Sequence, residues 1–356
     1  MVRPSTVMNR PAPSITSHND EASRALLAGL LSQFQDAQNS DGGWAFQKGG
    51  DSRVEATCWA VLALADTDSR AEIGRGIDFL KAQQLRDGSW PAATGMASGG
   101  WVTSLAALTL VQFPDSEKSV QAGLQWLSDD YPRDSSRWQK FLKKLSSAKQ
   151  HTSHNDEFRG WGWTPRTASW VEPTSFALMA FAAVSAQGAK LEPGSRANLS
   201  SALAQSIAER RALATGLLYD RMCAGGGWNC GNPRVYGVDG DSLILSTCWA
   251  LLALHDAPEH PNRALSLEWL QKSFATIASP GSLAVAQITL EHYGLPTPAI
   301  RRQLSDFSAA ELAGQGTHVV SWVALALNRS RVWPTGLRGS PGTGHNSQGA
   351  GHELPT

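Results

Sequence analysis

Phe34 to Trp44 reads FQDAQNSDGGW, and Leu80 to Trp90 reads LKAQQLRDGSW. With the two tryptophans in register, both stretches run large apolar residue, three residues, Gln, two residues, Asp-Gly, a small residue and Trp. Each closes a helix-like segment and precedes an apolar one, EATCWAVLAL from Glu55 and WVTSLAALTL from Trp101. Recurrence at a fixed period constrains the architecture before any single residue does.

Working outward, weaker copies of the ending occur at Gly160–Trp163 and in YDRMCAGGGW, which ends at Trp228. In the latter, Met222 stands where the first copies have Gln, and Gly225 where they have Asp. The apolar segments align on Thr57, Thr103, Thr174, Thr247, Leu283 and Val320. Each follows a segment that is apolar on one side only, as in Leu26, Leu27, Leu30, Leu31 and Phe34 at helical spacing. Helices apolar all round need cover on both sides, whereas one-sided helices can face water. Two concentric layers satisfy both, so the expected fold is all-α, an α/α toroid of about six helical hairpins. A single domain is expected over 21–333, with insertions near 128–160 and 229–242. Residues 1–20 are expected to be disordered, and the Gly/Pro/Ser-rich 334–356 to form a flexible tail.

Lysine and arginine balance aspartate and glutamate, 31 each, which speaks against nucleic acid as a partner. No run of about eighteen apolar residues reads as a membrane-spanning helix. Peripheral contact with a membrane surface stays open. Without a signal-like leader or a dense cysteine framework, a cytoplasmic location is expected. The 14 tryptophans among 356 residues suggest a repeated structural slot or an aromatic-lined cavity. Cys58 and Cys248 fall at equivalent places in TCWAVLAL and TCWALLAL and read as small buried apolar residues.

The ending Gln-x-x-Asp-Gly-[Gly/Ser]-Trp at Gln38–Trp44 and Gln84–Trp90, with the Thr-[Cys/Ser]-x-Ala-x-Leu-Ala-Leu helices after it, resembles the QW repeat of the squalene cyclase and prenyltransferase superfamily. The resemblance spans most of residues 21–330. It implies that the repeat's Gln and Trp brace the outer layer, and that chemistry belongs to an apolar cavity ringed by the inner helices. It implies an isoprenoid or other hydrophobic small molecule as partner, a polyprenyl or triterpenoid chain, and no cofactor. The activity implied is acid-initiated cyclisation, an isomerase reaction in which a carboxylic acid protonates an alkene or epoxide and aromatic faces steady the cations. The alternatives are a non-catalytic toroid that binds a lipid or protein partner, and a hydrolase or lyase with paired carboxylates.

The acid motif of such cyclases, Asp-x-Asp-Asp-Thr, is absent. At the matching position, two residues before the aligned Thr, stand Glu55 and Glu172. Both are candidate general acids, Glu172 the better placed because WGWTPRTASWVEPTSF surrounds it with aromatics; the competing reading is a helix-start cap. Trp101, Trp163, Trp170, Phe176 and Tyr236 are candidate substrate-binding residues. Trp59, Phe176, Trp249 and Trp322 share one repeat position and read more simply as ring packing. No metal site is expected; the weak zinc alternative would use Asp220, Cys223 and Cys230 with His255 or His292. Arg137, Lys140, Lys143 and Lys144 form a basic piece that reads as a solvated face, with an anionic group as the alternative partner.

Overall fold

The computed structural model describes residues 15–130, 132, 154–155, 157–188 and 199–328. The basic piece Arg137–Lys144 and the segment 334–356 lie outside the described residues. Two families of helices alternate along the chain. The inner ones are α2 (Val54–Leu64), α4 (Val102–Leu110), α6 (Val171–Gly188), α8 (Ile244–Leu254), α10 (Pro280–His292) and α13 (Thr317–Leu327). The outer ones are α1 (Ile15–Ala37), α3 (Arg70–Gln83), α5 (Glu117–Asp129), α7 (Ser201–Asp220), α9 (Pro261–Ser273) and α11 (Pro298–Ser305), followed by the short α12 (Ala309–Ala313). Of the segment 1–20, residues 1–14 lie outside the described residues, and α1 starts at Ile15.

The inner helices form a closed ring. α2 packs on α4, α4 on α6, α6 on α8, α8 on α10, α10 on α13, and α13 back on α2. Each inner helix is covered mainly by the outer helix that follows it: α3 on α2, α5 on α4, α7 on α6, α9 on α8 and α11 on α10. The last inner helix, α13, has no such successor among the described residues and is covered by the first outer helix, α1. Thr317 fastens this junction, its N–H donating to the Phe46 carbonyl at 2.8 Å and its hydroxyl to the Ala45 carbonyl at 2.6 Å. In α2 and α4 nearly every side chain is buried, as all-round apolar segments require.

The repeated endings are the joints between outer and inner helices. The backbone N–H of Trp44, Trp90, Trp161 and Trp228 donates to the hydroxyl of Thr57, Thr103, Thr174 and Thr247 at 2.9–3.0 Å. Each indole N–H donates to a carbonyl near the end of the preceding outer helix, from Phe34, Leu80, Leu127 and Leu218. Four fully or almost fully buried indoles thereby lose no hydrogen bond. Gln38 and Gln84 donate to a carbonyl of their own turn and to Glu72 or Ser119 in the next outer helix, bracing the outer layer.

The insertions leave these joints unchanged. Trp161 reaches a carbonyl 34 residues back, where the other three reach 10. Trp228 meets a threonine 19 residues on, where the others find it at 13. The second insertion carries a small antiparallel hairpin, β1 (Arg234–Val235) and β2 (Val238–Asp239). In the third joint, which lacks the Gln, the buried Arg210 lies 4.1 Å over the Trp161 ring and donates to the carbonyls of Asp130 and Gly160.

Candidate functional site at the mouth of the ring

Equivalent repeat positions of the inner helices meet in layers across the ring. Two residues past the aligned positions stand Trp59, Leu105, Phe176, Trp249, Val285 and Trp322, none more than 9% exposed. Trp59 stacks on Trp249 at 5.8 Å and meets Trp322 edge-on at 5.6 Å. Phe176 lies 5.1 Å from Trp249 and 5.9 Å from Trp59. These are contact separations for aromatic rings. The axis is therefore filled at this level, and an open bore is not what the repeat builds. Phe176, expected to bind substrate, belongs to this packed floor.

Two residues before the aligned positions, at the first turns of the same helices, the layer reads Glu55, Trp101, Glu172, Leu245, Gly281 and His318. All but Gly281 are only partly buried, so this layer forms the mouth above the aromatic floor. Trp101 links the two levels, its ring 5.4 Å from Phe176 below and 5.4 Å from the exposed Trp163 at the rim. On the α13 side, the His318 ring lies edge-on to Trp322 at 5.0 Å and to Phe46 at 6.0 Å.

The two glutamates come into electrical contact. Burial pushes the Glu55 carboxyl up from 4.5 to about 7, and the charge of Glu172 pushes the same way. The Trp59 side chain, one turn further on, offers its indole N–H to that carboxylate and opposes the rise. Burial also raises Glu172, while Ser246 on α8 donates to its Oε1 at 3.1 Å and favours its charged form. Burial thus raises both carboxyls, and the negative charge of either one disfavours ionisation of the other. A pure capping role does not describe Glu172, whose carboxylate reaches across to the neighbouring inner helix. Burial keeps His318 neutral by lowering its pKa.

The other sequence-derived candidates are engaged elsewhere or exposed. Trp170 bridges back to Trp161 within the third joint. Tyr236 is 74% exposed in the β1–β2 turn. Asp220 is committed to Arg221 at 3.2 Å and to the backbone N–H of Asn155. Cys223 is buried and Cys230 exposed, and among the described residues no group of three metal-ligating side chains gathers. His318 was not singled out from the sequence, although it occupies the glutamates' repeat position in the last copy; alignment of that copy was the available signal.

No family model and no curated protein matches the chain. Among solved structures, a type II terpene cyclase from Scytonema, in complex with geranylgeranyl dihydroxybenzoate, is similar with a TM-score of 0.52 and 11% identity, over 90% of this chain and 82% of that one. A glycosidase in complex with glucose is similar with a TM-score of 0.55 and 12% identity, over 88% and 98%. The fold is an all-α toroid, similar to those two structures.

Proposed function

We propose that the mouth layer is an acid site for an isoprenoid ligand, with Glu55 as proton donor. The observation that carries this reading is the juxtaposition of Glu55 and Glu172 among aromatic side chains, where burial raises both carboxyls. With its pKa raised to about 7, Glu55 keeps its proton in about half of the molecules at neutrality, and negative charge on Glu172, whose carboxylate accepts from Ser246, favours that form. Transfer of that proton to one carbon of a C=C bond leaves a cation on the other. A neighbouring double bond closes on the cation, and loss of a C–H proton to solvent ends a net isomerisation while Glu55 is reprotonated. The aromatic faces of Trp101 and of the floor suit such cations.

Sugar chemistry fits the same pair of carboxyls less well. A sugar needs polar partners around its ring. Besides the carboxyls, the mouth offers Ser246 and His318, against Trp101, Leu245 and Gly281. The packed floor favours one second reading: a toroid that holds a lipid at its mouth without converting it.

The test is incubation with squalene, oxidosqualene and prenyl diphosphates, with products followed by mass spectrometry. Wild type is expected to form a product that Glu55→Gln does not. An unchanged product from Glu55→Gln would remove that residue from the donor role. Isoprenoid bound without product supports the second reading, and neither binding nor turnover overturns both.

A further inference from the structure

The floor under the mouth bears on which isoprenoids fit. Trp59, Phe176, Trp249 and Trp322 come from four of the six inner helices and touch one another across the axis. Leu105 and Val285, both fully buried, complete the layer from the remaining two helices. Protein interiors packed this way leave few gaps larger than a water molecule, so a hydrocarbon chain cannot thread between the rings. The carboxyls sit at the first helical turn and the floor begins one turn below.

We infer that this aromatic floor is the specificity-determining element of the site: it confines the ligand to the mouth and selects short isoprenoids over long ones, with Trp322 the residue most open to adjustment. Trp322 is the most exposed of the four, at 9% against 1–3% for the others, and lies directly beneath His318. The repeat itself shows which replacements the ring accepts, since Leu105 and Val285 hold the equivalent position in two helices. Trp322→Leu therefore opens space under the mouth with a side chain already used in this layer.

The inference rests on the mouth being an isoprenoid site, and the experiment separates the two. Geraniol, farnesol, geranylgeraniol and squalene, delivered from cyclodextrin, are titrated calorimetrically into wild type, Trp322→Leu and Trp249→Leu, with circular dichroism confirming that each variant is folded. Wild type is expected to bind geraniol and farnesol and to bind geranylgeraniol and squalene at least about tenfold more weakly than farnesol. Trp322→Leu is expected to recover about tenfold for the longer chains, because each methylene admitted below the mouth adds buried apolar surface. Wild type that binds squalene as tightly as farnesol overturns the floor as selector and leaves the mouth reading intact. The same holds if folded Trp322→Leu and a second variant, Trp249→Leu, both keep the wild-type ranking. Failure of every isoprenoid with every protein overturns the mouth reading and the inference with it.

Discussion

The floor and the mouth are built from the same six helices, four residues apart, yet they differ in kind. At the floor, four positions of six are aromatic and the others aliphatic, and all are buried. At the mouth, the six positions hold two acids, a tryptophan, a leucine, a glycine and a histidine, mostly half-exposed. A repeat position that keeps one residue type answers the common demand of ring packing. A position where the copies diverge is free of that demand and can carry local chemistry. The raised carboxyls of Glu55 and Glu172 appear in the second kind of layer.

That contrast can be broken at the floor first. Trp59→Ala removes a side chain that is 1% exposed and touches three other rings, so a loss of about 3–5 kcal/mol is expected in denaturant unfolding. A loss below about 1 kcal/mol would mean that the floor is not a packed layer.

The mouth should behave in the opposite sense, costing stability in a pH-dependent way. Glu55 binds its proton more tightly folded than unfolded, so its contribution to stability falls as pH rises from 4.5 to about 7 and is flat above. Glu55→Gln should remove that penalty and stabilise the protein at pH 8 by about 1–3 kcal/mol. At the far end of the ring, His292 has its pKa lowered from 6.5 to about 4 by burial and by His255, so its contribution falls as pH drops through that range. The two slopes oppose each other, and Glu55→Gln should make stability rise more steeply, or fall less steeply, with pH between about 4.5 and 6.5 than in wild type. A variant whose slope there equals that of wild type would contradict the assignment.

An effect of similar size and opposite sign belongs to the joints. Thr103→Val leaves the buried N–H of Trp90 without its acceptor and is expected to cost about 1–3 kcal/mol. Smallest is Trp163→Ala at the rim, where the exposed ring should change stability by no more than about 0.5 kcal/mol while weakening isoprenoid binding. A large stability loss there would make Trp163 part of the packing and not of the mouth.

The toroid was legible because periodicity is a property of the sequence. Two strong copies of the joint set the register, and the alignment on Thr57, Thr103, Thr174 and Thr247 picks out the hydroxyls that receive the tryptophan N–H groups. Glu55 and Glu172 were legible for the same reason, as departures at an aligned position. Their contacts were not. Ser246, 74 residues further along, donates to Glu172 and ties its helix to the neighbouring one. A contact between helices that distant leaves no mark in local spacing. Arg210 was hidden likewise, since its partner Trp161 lies 49 residues before it and no Gln announces the joint. The filled axis could be read only in part: a shared aromatic position suggested ring packing, while the ring diameter that lets those side chains meet depends on how closely six helices approach.

The closure of the ring has a consequence for the order of the chain itself. Five inner helices are covered by the helix that comes next in sequence, but the sixth pair joins α13 to α1, the two extremes of the described chain. The toroid thus has a seam, held by Thr317 against the turn after α1. Joining α13 to α1 through a linker and opening the chain at another inner-to-outer connection would move the seam without altering any layer. A circular permutant made in this way should keep both floor and mouth, so the place where the polypeptide starts is a matter of connectivity and not of architecture.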